Sequence, residues 1–270
     1  MIVFILLAII IHATFVFYIR IFEKPLLDNN YEGEKGKIKI RIGLSFLYII
    51  GAHAILFIIF EPSYKDYRKY YAIWDKKVLI DILRSNIINF ILYGYNICII
   101  FKNKIRRKKF YKKFNFKDIS ALKTNFIAPF IEEVIFTVLL YPLFVSSEVK
   151  NPKAFYLSSA LLFSVTHIHM KWEELLEIIQ TYLDPNNKDY GIINLLKDFI
   201  ITIIGVCTIT FIFKLYIFYT MSRYENFWVC WMIHCFCNIL GTPIIKNPQS
   251  KSILIHLFCI FCFFMAQNYL

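Results

Sequence analysis

Two adjacent glutamates, three histidines and two asparagines stand in three apolar stretches of this 270-residue chain. The stretches read Asn125-Phe-Ile-Ala-Pro129-Phe-Ile-Glu132-Glu133-Val-Ile-Phe136, Phe163-Ser-Val-Thr-His167-Ile-His169 and His234-Cys-Phe-Cys-Asn238-Ile-Leu-Gly241. A carboxylate and an imidazole supply a general base and its orienting partner, and a His/Asn pair supplies hydrogen-bond donors. Those are the needs of water-mediated amide hydrolysis, and of other hydrolyses too. Neither a GxSxG nor an HExxH sequence is present, so serine-hydrolase and ordinary zincin readings lose support.

The spacing adds geometry. Pro129 disfavours helix at Ala128 and suits a first helical turn, which predicts Glu132 and Glu133 within about two turns of a helix N-terminus. There the helix dipole favours carboxylate. Adjacent helical residues point about 100° apart, so one glutamate can face a cavity and the other a neighbouring helix. His167 and His169 are about 200° apart and cannot share a site without distortion. His169 suits an interfacial role better. His234 and Asn238, at i and i+4, share a face in mid-span. Plainer roles compete: an ion pair between the glutamates and Lys123 or a loop arginine, and interhelical hydrogen bonding for His234 and Asn238. His12, His53 and His256 are isolated and read as structural.

The elements carrying these residues are apolar helices. Hydrophobic residues make up 58% of the chain, charged residues 19%, and mean hydropathy is +0.54. A soluble domain is nearer half apolar and a quarter charged. The composition excludes a disordered chain and argues for an all-α, polytopic membrane bundle. Long apolar runs at 1–19, 43–60, 78–101, 126–145, 154–170, 192–220, 227–245 and 252–267 give about eight candidate spans. The first run has no positive n-region and no small-residue cleavage site, and reads as a retained span. The 192–220 run ends in Lys214, Tyr216 and Tyr219, as expected of a span that projects or tilts. No repeat or domain break interrupts 1–270, so one integral-membrane domain is expected.

Charge sets the orientation. The net charge is +12, and residues 102–125 hold ten basic residues and one acid. That excess places the connection in the cytoplasm; it is not read as a nucleic-acid face, since no such motif accompanies it. The motif ends of the fourth and fifth spans then lie toward the cytoplasm. The seven cysteines all sit in apolar runs, and their odd number makes a poor disulfide framework.

At these motifs the sequence resembles the type II CAAX prenyl endopeptidases, the Ras-converting enzyme family. That family carries paired glutamates followed by an aromatic and an arginine, then F-x-x-x-H, then H-x-x-x-N, on separate membrane helices. Here the three read Glu132-Glu133-Val-Ile-Phe136-Thr137, Phe163-Ser-Val-Thr-His167 and His234-Cys-Phe-Cys-Asn238. Ile-Ala-Pro before the glutamates, His-x-His at 167–169 and the run His234 to Pro243 fit its eukaryotic branch. The motif-bearing part spans about 125–243; the first 120 residues match in hydropathy alone.

The resemblance implies removal of the last three residues of a C-terminal Cys-a-a-X sequence whose cysteine is prenylated, in proteins such as small GTPases. The enzyme would sit in the endoplasmic reticulum membrane, taking the lipid from the bilayer and the peptide from the cytoplasm. By that likeness Glu132 activates water with help from His167, His234 and Asn238 stabilise the oxyanion, and Glu133 and His169 support them. No cofactor is implied, and zinc stays open, because the ligand spacings of a known zinc class are absent. One position departs from the pattern: the family's arginine is Thr137. The basic residues of the 102–125 loop are candidates to substitute for it, a choice the sequence does not make. Thr137 keeps a non-catalytic membrane scaffold in view, and buried Glu and His keep a transporter with a proton path in view.

Overall fold

The structure, a computed structural model, describes residues 2–29, 33–59, 70–71, 76–141, 145, 152–168, 176, 178–180, 192–241, 257–263 and 265–266. Among the described residues every regular element is helical. Two long helices open the chain, α1 (Ile2–Asn29) and α2 (Gly33–Ile59). They are followed by α3 (Lys76–Leu92), α4 (Gly94–Lys102) and the polybasic α5 (Lys104–Lys112). A helical rod follows, made of α6 (Ile119–Leu122), a π turn (Lys123–Ile127), α7 (Ala128–Glu133) and a second π turn (Val134–Val138). Then come α8 (Pro152–Thr166), α9 (Ile192–Tyr224) and α10 (Phe227–Leu240).

Among the described residues, two segments are fit by length and composition to cross a membrane, Lys35–Ile59 and Phe199–Tyr224. A third counts if α3 and α4, bent by 68°, are one broken span. The expected count of about eight spans is not confirmed by this criterion, which two or three segments among the described residues meet. The 126–145 run is divided by π turns, and the 227–245 run yields a described helix of 14 residues. The long helices still turn large apolar side chains outward: Leu47, Ile50 and Ile58 on α2, and Ile200, Ile201 and Ile204 on α9, are exposed. Lipid is the medium that accepts such faces around a backbone bonded within its own helix.

The rod forms the centre. Val134, Ile135, Phe136, Val138 and Leu139 are buried against Phe163 of α8, Phe218 and Met221 of α9, and Val229, Cys230 and Ile233 of α10. α9 packs on α8 and α10, α10 on α3 and on the rod, and α1 on α2 and α8. Only Glu225 and Asn226 separate α9 from α10, so the two helices return alongside one another. Asn226 caps α10 by accepting from the Trp228 N–H at 2.9 Å. Gly241 ends it at φ +80°, a conformation that a Cβ disfavours. Lys113, just past α5, donates from Nζ to the carbonyls of Asn238 and Ile239 at 2.9 and 2.7 Å. Those carbonyls belong to the last turn of α10, which has no further intrahelical donors.

Candidate active site

The rod begins at Ile119, where Asp118 caps it by accepting from the Ser120 N–H at 3.0 Å. The glutamates therefore lie well inside a helix rather than near its first turn, which corrects the reading from Pro129. Pro129 is tolerated because the turn before it is π: the Ala128 N–H bonds the Lys123 carbonyl, five residues back. In that register the next carbonyl, Thr124, falls to residue 129, which has no N–H to give. Asn238 fills the place, donating from Nδ2 to the Thr124 carbonyl at 2.9 Å. Trp231 donates from Nε1 to the Phe126 carbonyl at 2.9 Å. Side chains of α10 thus complete the irregular turn and fix the register between α10 and the rod. π turns of this kind recur at functional sites.

Beyond that turn the two glutamates part company. Glu133 is fully buried, whereas the Glu132 side chain keeps 27% of its surface exposed. Glu133 Oε1 accepts from His234 Nδ1 at 2.7 Å. Glu133 Oε2 accepts from Thr137 Oγ1 at 2.6 Å and from Lys214 Nζ at 2.9 Å. Lys214 also donates to Thr137 Oγ1. Its ammonium lies 4.6 Å from the centre of the Phe163 ring and 5.5 Å from that of Phe218, a cation held between a carboxylate and aromatic faces. The other nitrogen of His234, Nε2, lies 3.7 Å from Glu132 Oε2. The imidazole thus stands between the sealed carboxylate and the accessible one, its ring edge against Phe213.

His167 follows the last residue of α8. Its Nδ1 lies 2.8 Å from the Phe163 carbonyl, and its ring packs on that of Phe163. A carbonyl accepts only, so Nδ1 carries a hydrogen, and in the neutral ring Nε2 then presents a lone pair. Among the described residues no ion pair joins His167 to Glu132; its link to the cluster runs through Phe163, whose ring Lys214 covers. His169 lies outside the described residues, as does His256. His12 is buried against Phe136, and His53 bonds the Ile49 carbonyl. Among the described residues, no set of three or more His, Cys, Asp or Glu side chains gathers as metal ligands.

Of the residues singled out by sequence, Glu132, Glu133 and His234 come together. Asn238 lies near the end of α10 with its amide on the rod's backbone, and His167 stands one aromatic ring away. The residue sequence reading missed is Lys214. Taken as a mark of a projecting helix end, it is instead fully buried within a 33-residue helix and bonded to Glu133. Among the described residues it is Lys214 that pairs with Glu133, at 2.9 Å. A signal was present: a lysine inside a lipid-length helix needs a partner, and the two adjacent glutamates offer one carboxylate more than a single base requires.

The arrangement holds one carboxylate that water reaches, an imidazole whose far nitrogen addresses it, and a sealed carboxylate that orients that imidazole. This is the order of parts in a base-assisted hydrolytic site. Comparison with known proteins agrees. Residues 119–240 match the family described as type II CAAX prenyl endopeptidase Rce1-like. The matched segment contains Glu132, Glu133, His167, Lys214, His234 and Asn238, so the likeness read from the three motifs is borne out there. No curated protein and no solved structure matches the chain.

Proposed function

We propose that this chain, with its Rce1-like segment, is an intramembrane endopeptidase that removes the C-terminal tripeptide from prenylated Cys-a-a-X proteins, small GTPases among them. It works in the endoplasmic reticulum membrane, crossed by about eight spans, with the site open to the cytoplasm. The observation that carries the reading is the unequal glutamate pair. Glu132 is accessible and Glu133 is not, and His234 joins them by Nδ1 and Nε2.

Glu132 takes a proton from water as the oxygen adds to the carbonyl carbon at the scissile bond. His167, with its Nδ1 hydrogen committed to the Phe163 carbonyl, offers Nε2 as the assisting acceptor. The tetrahedral oxyanion meets the second N–H of the Asn238 amide, whose first N–H is spent on Thr124, and His234 Nε2, which shares the proton taken up by Glu132. Collapse breaks the C–N bond, and the proton held at Glu132 passes to the departing amine. Glu133 touches no reacting atom and keeps the imidazole in place. A scaffold without activity has no need of an accessible carboxylate beside an oriented imidazole, so the cluster favours the enzyme.

The test is direct. Purified protein in detergent is given a farnesylated Cys-a-a-X peptide and the same peptide without its lipid, and the products are weighed by mass spectrometry. Release of the tripeptide from the lipidated peptide is expected. No release from either peptide by folded, wild-type protein sinks the reading.

A further inference from the structure

We infer that Lys214 is a positioning residue for the catalytic cluster: its buried ammonium keeps Glu133 ionised, and through Glu133 fixes which nitrogen of His234 carries the hydrogen. The inference deepens the proposed hydrolytic reading and rests on it for its activity arm alone.

The hydrogen-bond directions carry it. Glu133 Oε1 faces the ring nitrogen of His234, and Oε2 faces the hydroxyl of Thr137 and the ammonium of Lys214. An ammonium can only donate. Thr137 receives one of its hydrogens and so turns its own hydroxyl hydrogen to Glu133. Oε2 of Glu133 therefore accepts from both of its neighbours, and the ammonium of Lys214 against it at 2.9 Å favours the carboxylate over the carboxylic acid. Against a carboxylate oxygen, His234 must present N–H at Nδ1. When the ring is neutral, its Nε2 lone pair then points toward Glu132.

Removal of the ammonium reverses the chain of choices. A lone carboxylate sealed at zero exposure is costly, and a proton is the available remedy. A protonated Glu133 donates to Nδ1, and the neutral imidazole then moves its hydrogen to Nε2, turning a donor rather than an acceptor toward Glu132. Lys214 acts at a distance of one residue from the chemistry, and it does so from α9, 81 residues along the chain from Glu133.

Thr137 explains why the cation arrives from another helix. Its side chain is short, fully buried and in contact with the ammonium, so Lys214 places its charge against the very position where the resembling family carries arginine. The charge is interchangeable between the two positions on this reading, and that gives the decisive variant.

Four proteins are compared in detergent at equal folded concentration: wild type, Lys214→Met, Lys214→Arg, and Lys214→Ala combined with Thr137→Arg. Cleavage of a farnesylated peptide is measured, together with ¹⁵N-histidine spectra in which the His234 signals are identified by their loss in His234→Gln. Lys214→Met is expected to lose about 10²–10⁴-fold in kcat and to show His234 protonated at Nε2. Lys214→Arg and the relocated arginine are expected to keep Nδ1–H and to recover most of the turnover. An Nδ1–H tautomer retained in Lys214→Met, or full turnover by that variant, overturns the inference. Should Lys214→Met fail to fold, Lys214→Gln takes its place: an Nδ1–H tautomer with full turnover in that uncharged variant overturns the inference, and an Nε2–H tautomer with lost turnover supports it. If wild type itself cleaves nothing, the hydrolytic reading falls while the spectra still decide the role of Lys214.

Discussion

His234 meets Glu133 through Nδ1 at 2.7 Å and Glu132 through Nε2 at 3.7 Å, so one imidazole is shared unequally by two neighbouring carboxylates. The shorter contact is a hydrogen bond and holds the ring. The longer one is beyond direct hydrogen-bond length and marks the side where a reacting proton moves. Different consequences follow from breaking each.

Glu132→Gln removes the accessible carboxylate and keeps the shape. Loss of turnover by about 10²–10⁴-fold is expected, with thermal stability near that of wild type because the side chain is partly exposed. A purified variant with normal kcat would take Glu132 off the catalytic list.

Glu133→Ala acts on stability first. It leaves Lys214 buried without its carboxylate, and breaking a buried pair from one side costs about 3–5 kcal/mol. Sequence spacing alone makes this the milder of the two glutamate variants, because it reads the second glutamate as facing away. The ion pair reverses that expectation for folding. Adding Lys214→Met to Glu133→Ala is expected to recover part of the loss, read as melting temperature in detergent. An unchanged melting temperature in Glu133→Ala would show that the pair contributes nothing net.

Asn238→Ala separates two roles that one side chain holds. Losing the bond to the Thr124 carbonyl is expected to lower stability by about 1–2 kcal/mol. If its second N–H also meets the oxyanion, kcat per folded molecule falls by a further ~10²–10³, with little change in KM. A destabilised protein with normal kcat per folded molecule would assign Asn238 to the helix interface alone.

His167→Ala removes a half-buried ring whose one polar tie among the described residues is to a carbonyl of the preceding helix. A small stability change and a large loss of turnover are expected. Wild-type turnover at equal folded amount would leave Glu132 assisted by His234 alone.

Orientation is open to labelling. Lys108 is exposed on α5, so Lys108→Cys is expected to react with a membrane-impermeant thiol reagent from the cytosolic side. Reaction from the lumenal side alone would reverse the topology and the route by which peptide reaches Glu132.

The helical character and the three motifs were legible in the sequence because each is local: apolar runs of lipid length, and polar residues too costly to leave there without purpose. The family likeness over 119–240 was legible for the same reason. The partner of Glu133 was not. A single lysine in an apolar run looks like a helix reaching the interface, and only the fold shows that α9 carries it past the glutamates. The π turn was hidden too, since it depends on donors that Asn238 and Trp231 bring from more than a hundred residues away. Pro129, read locally, gave a helix start; read with Asn238 across from it, it gives a helix interior.

The π turns have a consequence for how the two glutamates differ. Each accommodates one residue more than an α-helix would, so the rod runs one step out of phase on either side of Ala128–Glu133. Upstream, α10 holds the rod by Thr124 and Phe126; downstream, Lys214 holds it by Thr137. Loss of a single residue from Lys123–Ile127 would turn the helix below it by about 100°. That is the angle between one glutamate and the next. What makes one carboxylate wet and the other sealed is therefore rotational phase and not residue type: a one-residue slip offers the neighbour in its place.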